Sequence, residues 1–252
     1  MNVKTIQFTK LFFKNALDFK MLFMMTLLFP LIYLVWNHYH LLFHHLSDKF
    51  FLNLLFSYWG FIVVMHLMGG ANVSLLALKE NGFLKMFKFI AGNKNVIIVS
   101  NFIAQSLTLF LSLIIFTVIT SVLFKSGLWL HALVLMFITF LITIIPISML
   151  FLWIPALNVR LATISPITSL LSLALSFISS LSFTNNSILN FILLLNPVKV
   201  FFQLTILINN WLFSGVFDGI KLIECIVVLI IYIVLGTFFL RRITVNSSLS
   251  RY

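Results

Sequence analysis

Residues 77–95 read "ALKENGFLKMFKFIAGNKN", and they interrupt a chain that is otherwise almost continuous apolar sequence. Four lysines, one glutamate and two glycines fall in this stretch, yet Phe83, Met86, Phe87 and Ile90 keep an apolar stripe at helical spacing. The flanking runs, about 51–78 and 96–124, are apolar and long. A run of 18 or more apolar residues matches the thickness of a bilayer. The quoted stretch therefore reads as a short, basic, amphipathic helix between two membrane spans, whose greasy stripe has to lie against lipid or enter a groove on another protein.

Composition extends that reading to the whole chain. Of 252 residues, 62% are apolar and only 8% charged, far less charge than a soluble domain carries. Inside lipid only helices or closed barrels satisfy their own backbone, and barrel strands alternate apolar and polar residues, which these runs do not. The expected fold class is an all-α integral membrane protein with six transmembrane helices. They fall at about 21–40, 51–78, 96–124, 128–157, 161–183 and 222–240, in one transmembrane domain over 1–252. Several exceed the roughly 20 residues that a bilayer needs, which predicts tilt or extension into water. No small-residue cleavage site follows Phe29-Pro30-Leu31, so the first run reads as a retained helix rather than a signal peptide. The one cysteine, Cys225, excludes an intramolecular disulfide.

Charge sets the orientation. With a cytoplasmic N-terminus, the inside carries Lys4, Lys10, Lys14, Lys20, Lys79, Lys85, Lys88, Lys94, Arg160, Arg241, Arg242 and Arg251, and the outside Lys49, Lys125, Lys199 and Lys221. Twelve against four is a positive-inside bias with both termini cytoplasmic, and it accounts for the net charge of +11 without a nucleic-acid partner. Residues 185–220 are apolar enough to span, but that would put Arg241, Arg242 and Arg251 outside, and Pro197 and Lys199 sit near the middle. Two short pieces are expected instead, 187–195 and 198–208, interfacial or re-entrant at the outer face and packed on neighbouring helices. Residues 3–19 separate Lys4, Gln7, Lys10, Lys14, Asn15 and Asp18 from Ile6, Phe8, Phe12, Phe13, Ala16, Leu17 and Phe19, as an interfacial helix on the inner leaflet does.

Catalytic signatures are missing. "AGNKN" has a glycine and a lysine but no phosphate loop around them, and no H-E-x-x-H occurs. His38, His40, His44 and His45 cluster in the first outer loop beside Trp36 and Tyr39. With only Asp48 near them, they read as an interfacial aromatic loop before a metal site. Mid-span His66 reads either as a functional group or as a neutral, hydrogen-bonded interface histidine. Gly69-Gly70 permits close helix approach or a bend, and Pro146, Pro155 and Pro166 are expected to kink their helices. Glu224 pairs with Lys221 one turn away or serves as a proton relay. The serines of the fifth span, Ser165, Ser169, Ser172, Ser176, Ser179 and Ser180, line a helix interface or a cavity. The candidate cavity or gating residues are thus His66, Gly69, Gly70, Ser172, Ser176 and Glu224.

Two short motifs join this layout. Glu80, Gly82 and Leu84 form a Glu-x-Gly-x-Leu start to the loop after the second span, and Asn196-Pro197 breaks the apolar segment before the last. With an amphipathic N-terminal helix, six spans and both ends inside, the chain resembles the permease subunits of ABC-2-type transporters, the type V exporter-like layout. It departs from them in carrying Phe83 where threonine is common. The resemblance implies a bacterial cytoplasmic membrane and a coupling helix within 79–95 that inserts into a separate ATPase subunit. Glu80, Gly82, Phe83, Leu84, Met86, Phe87 and Ile90 would make that contact, with Glu80 at the positive end of the helix. It also implies a second permease, identical or paralogous, ATP and Mg on the partner ATPase, no cofactor in this chain and no catalysis by it. Small Phe-, Ile-, Lys- and Asn-rich members resemble exporters of amphipathic peptides, including lantibiotic-immunity and phenol-soluble modulin transporters. An ATP-independent transporter or channel would need coupling carboxylates in its spans, and only Glu224 approaches that. An intramembrane enzyme would need more than His66.

Overall fold

A chain this poor in charge can satisfy its backbone only locally, and the computed structural model follows that constraint. It describes residues 3–18, 20–42, 47–181 and 187–244, and among them every regular element is helical, with no strand. The order is α1 (Val3–Asp18), α2 (Lys20–His38), a 3₁₀ turn (Tyr39–Leu41), α3 (Asp48–Met65), a π-helical segment (His66–Asn72), α4 (Val73–Glu80) and α5 (Phe83–Ala91). Then come α6 (Lys94–Leu123), α7 (Trp129–Leu150), α8 (Trp153–Ala156), α9 (Leu161–Ser179), α10 (Ser187–Leu194), α11 (Pro197–Ser214) and α12 (Gly219–Arg242). Phe19, His44, His45, Ser182, Phe183 and Arg251 lie outside the described residues.

Among the described residues, five helical stretches are long and apolar enough to cross a membrane: Asp48–Glu80, Lys94–Leu123, Trp129–Ala156, Leu161–Ser179 and Gly219–Arg242. A sixth is reached if the bent pair Ile188–Leu194 and Pro197–Ser214, which turns by 101°, counts as one. α2 occupies the first expected span with 19 residues. α7 and α9 run on through Pro146 and Pro166. α7 stops at Leu150, before the short α8 that contains Pro155, whose ring excludes the carbonyl four residues earlier from a continuous helix.

Asp48–Glu80 is the central rod, and Trp59 at its heart donates from Nε1 to Thr117 Oγ1 at 3.0 Å. Two glycines set how closely the others approach. A Cβ on Gly60 would stand 2.9 Å from the Val198 carbonyl oxygen of α11, and one on Gly236 of α12 would strike Met149 Cβ and stand 2.7 Å from the Met149 oxygen of α7.

The outer segment is broken as expected, but its second piece runs to Ser214, six residues past 208, because the first left-handed residue that can end it is Gly215 (φ 66°). At the break, Asn196 Oδ1 accepts from the Val198 N–H and its Nδ2 donates to the Leu175 oxygen at 2.6 Å. The Tyr232 hydroxyl donates to the Leu195 oxygen at 2.8 Å. Irregular backbone inside an apolar bundle needs such partners.

α1 differs from the expectation of a helix lying only on lipid. Its enclosed face is Thr5, Phe8, Thr9, Phe12 and Ala16, packed along α6, with Ser100 Oγ donating to the Thr5 oxygen at 3.0 Å. Val3, Ile6 and Leu11 are the exposed apolar residues. The two threonines let the backbones approach more closely than an all-phenylalanine face would.

Candidate functional site at the basic end

The quoted stretch folds as an elbow. α4 stops at Glu80, Gly82 takes a left-handed turn (φ 76°), α5 runs from Phe83 to Ala91, and Gly92 (φ 82°) stops it. Asn93 then caps α6, its side chain accepting from the Asn95 N–H at 3.0 Å. The "AGNKN" glycine and asparagine are thus the end of one helix and the beginning of the next.

The apolar face of α5 is wide: of its nine residues only Lys85 and Lys88 are polar, and they share one side. Such a helix needs contact on more than one side. The chain itself supplies one. Leu84 is 1% exposed and joins Phe8, Phe12, Ala91 and Ile97 in a satellite core. The Phe87 ring stands edge-on to Phe8 at 5.4 Å and to Phe12 at 5.8 Å. Lys4 Nζ donates to the Ile90 oxygen at 3.0 Å. Leu84 and Phe87, read from the sequence as partner-facing knobs, are therefore engaged within the chain, because α1 folds back over them. The outward face is Phe83, Met86, Ile90 and Phe89, the last 91% exposed. Phe89 falls off the stripe visible in the sequence and is singled out only by its exposure in the fold.

The residues before the elbow fix it to the bundle. Lys79, 2% exposed, donates to the oxygens of Pro155 at 3.1 Å and Leu157 at 3.0 Å and to Asn158 Oδ1 at 2.9 Å. All three ammonium protons thereby have acceptors. Glu80 Oε2 accepts from the Leu161 N–H at 2.7 Å. The cation sits at the carboxyl end of α8 and the anion at the amino end of α9, each where the helix dipole favours it. Glu80 is thus spent on α9, not on the start of α5 as expected; Arg160 gives α9 no side-chain cap. Lys94 Nζ donates to the Ile243 oxygen at 3.0 Å, past the end of α12.

The other sequence candidates are dispersed. His66, 1% exposed, begins the π-helical segment, with Nε2 3.1 Å from the Gln105 oxygen and 3.3 Å from Thr108 Oγ1. A carbonyl only accepts, so Nε2 carries the proton, while the buried Nδ1 has no hydrogen-bond partner among the described residues. Gly69 and Gly70 lie in the same segment, and a Cβ on Gly69 would meet nothing within 4 Å, so that glycine serves no close approach among the described residues of this chain. The widened turn is bridged by Asn72 Nδ2 to the Leu67 oxygen (2.8 Å) and Asn101 Nδ2 to the Ala71 oxygen (3.1 Å). Ser172 is buried and Ser176 half-buried, whereas Ser165 and Ser169 are exposed.

Lys221 pairs with Asp218 at 2.9 Å rather than with Glu224. Asp218 caps α12 through the Lys221 N–H, which places its carboxylate beside that ammonium. The side-chain hydrogen bond from Lys221 holds the Asp218 carboxyl below its ordinary range. Glu224 is half-buried and has no ion pair among the described residues. His38 stacks edge-on with Phe50 and Tyr58, and among the described residues no group of three or more His, Cys, Asp or Glu is placed to hold a metal ion. No protein-family model, no curated protein and no solved structure matches the chain.

Proposed function

We propose that this chain is the membrane-spanning permease subunit of an ATP-driven exporter and that α5 is the element through which a separate ATPase subunit, carrying ATP and Mg, moves it. The observation that carries the reading is the divided surface of α5. One side is locked to α1 and α6 by Leu84, Phe87 and Lys4, and the other presents Phe83, Met86, Phe89 and Ile90 beside Lys85 and Lys88. A rigidly mounted apolar knob suits helix-in-groove docking, in which the anchors are pre-organised and less ordering entropy is lost. The lysines would meet an acidic rim or lipid phosphate.

A pull on α5 would be delivered to α8 and α9 through Lys79 and Glu80, which join the elbow to the start of the fifth span. In this reading the basic end is cytoplasmic, two permeases pair in a bacterial cytoplasmic membrane, and the cargo is an amphipathic peptide taken up by a largely apolar, hydroxyl-dotted bundle.

The test is co-purification from native membranes in mild detergent. Wild-type chain is expected to bring down a stoichiometric ATP-binding polypeptide, and Phe89→Asp or Met86→Asp to lose it while still inserting in the membrane. An ATPase retained by both variants, or an isolated chain that moves solute unaided, would overturn the proposal.

A further inference from the structure

Far from the elbow, a cavity of about 410 Å³ lies where α9 ends and α11 begins. α2 and α9 flank it, packing on α3 but hardly on each other, so it is a cleft open sideways with α3 as its floor. Its lining includes polar groups. Lys199, in the first turn of α11, donates to the oxygens of Ser179 at 3.0 Å and Leu181 at 3.1 Å. An ammonium has three protons, so among the described residues one is left over. Asn37, Ser57, Tyr58 and Ser176 add amide and hydroxyl groups, and no lining residue is acidic.

Ser179, Ser180 and Tyr33 also line the cleft, and Val198 and Phe202 are among its apolar residues. Phe61 and Phe177 line it. Phe29, one turn before Tyr33 on α2, lies 6.1 Å from Phe61, ring to ring. Exposed Leu170 stands two turns before Phe177 on the same face of α9.

We infer that this cleft binds one anionic phospholipid, with its phosphodiester at Lys199 and an acyl chain along Phe29, Phe61, Leu170 and Phe177. A half-buried ammonium with a donor to spare among the described residues, in a cleft whose lining has no acidic side chain, suits a single negative charge. The rings of Phe29, Phe61 and Phe177 give a hydrocarbon chain close apolar contact beside that charge, and this favours a lipid over a polypeptide. The inference does not depend on the exporter reading.

The full chain in a neutral detergent, titrated with dioctanoyl phosphatidylglycerol and followed by native mass spectrometry and thermal unfolding, tests it. One lipid per chain and a raised midpoint are expected, with no such response to dioctanoyl phosphatidylcholine. Lys199→Gln should weaken retention about tenfold or more, the scale of a lost charge-assisted hydrogen bond. Because Lys199 also caps α9, Ser176→Glu serves as the second variant: it leaves the lysine in place, supplies a competing carboxylate and should likewise abolish the adduct. Equal binding of both lipids, undiminished phosphatidylglycerol binding by Ser176→Glu, or capture of a free-carboxylate peptide in place of lipid would overturn it.

Discussion

Lys4, Lys79, Lys94 and Lys199 each donate to carbonyl oxygens at or just beyond a helix end: α5, α8, α12 and α9 respectively. The last carbonyls of a helix lack partners within it, and in apolar surroundings water does not reach them freely. A flexible stem with three donors suits that task. Replacing Lys79 with Met strands three acceptors and should cost about 2–3 kcal/mol, read as a midpoint lowered by several degrees in detergent. Glu80→Gln keeps an acceptor for the Leu161 N–H and should cost well under half as much. Gly236→Ala, which forces a Cβ into Met149, should cost about 1–3 kcal/mol, whereas Gly69→Ala meets open space and should leave the midpoint nearly unchanged. The four lysines were legible in sequence only as topology charges. Their acceptors lie between 18 and 149 positions away, beyond any local pattern.

At the scale of elements, α5 was legible in its boundaries and not in its facing. Gly82 and Gly92 punctuate it because both take left-handed conformations that other residues adopt at a cost. Which side faces inward depends on α1, more than 70 residues away in sequence, folding its Phe8 and Phe12 over Phe87. Substituting Phe87 with Ala should therefore cost about 2 kcal/mol, roughly half the loss for a fully enclosed ring. Phe89→Ala should leave the unfolding midpoint of the isolated chain unchanged and act only on partner binding. The break at Asn196-Pro197 was equally readable, since Pro fits the first turn of a helix and Asn caps it. The length of α11 was not, because "NNWLFS" contains no strong breaker before Gly215.

For the whole molecule, the helical class and the stretches long and apolar enough to cross a membrane follow from composition and run length, which need no knowledge of tertiary contacts. The π-helical segment at His66–Asn72 does not, since it rests on Asn72 and Asn101 bridging a widened turn. Opposite ends of the bundle should lie on opposite sides of the bilayer. In intact cells, with enclosed Cys225 replaced by Ala, an impermeant maleimide is expected to label a cysteine at Trp211 and to spare one at Lys88 until the membrane is opened. The most direct measurement is a photo-crosslinking amino acid placed at Phe89 in living cells, with the product identified by mass. The predicted product is a stoichiometric adduct to a soluble ATP-binding polypeptide; crosslinks to lipid alone would contradict the docking role of α5.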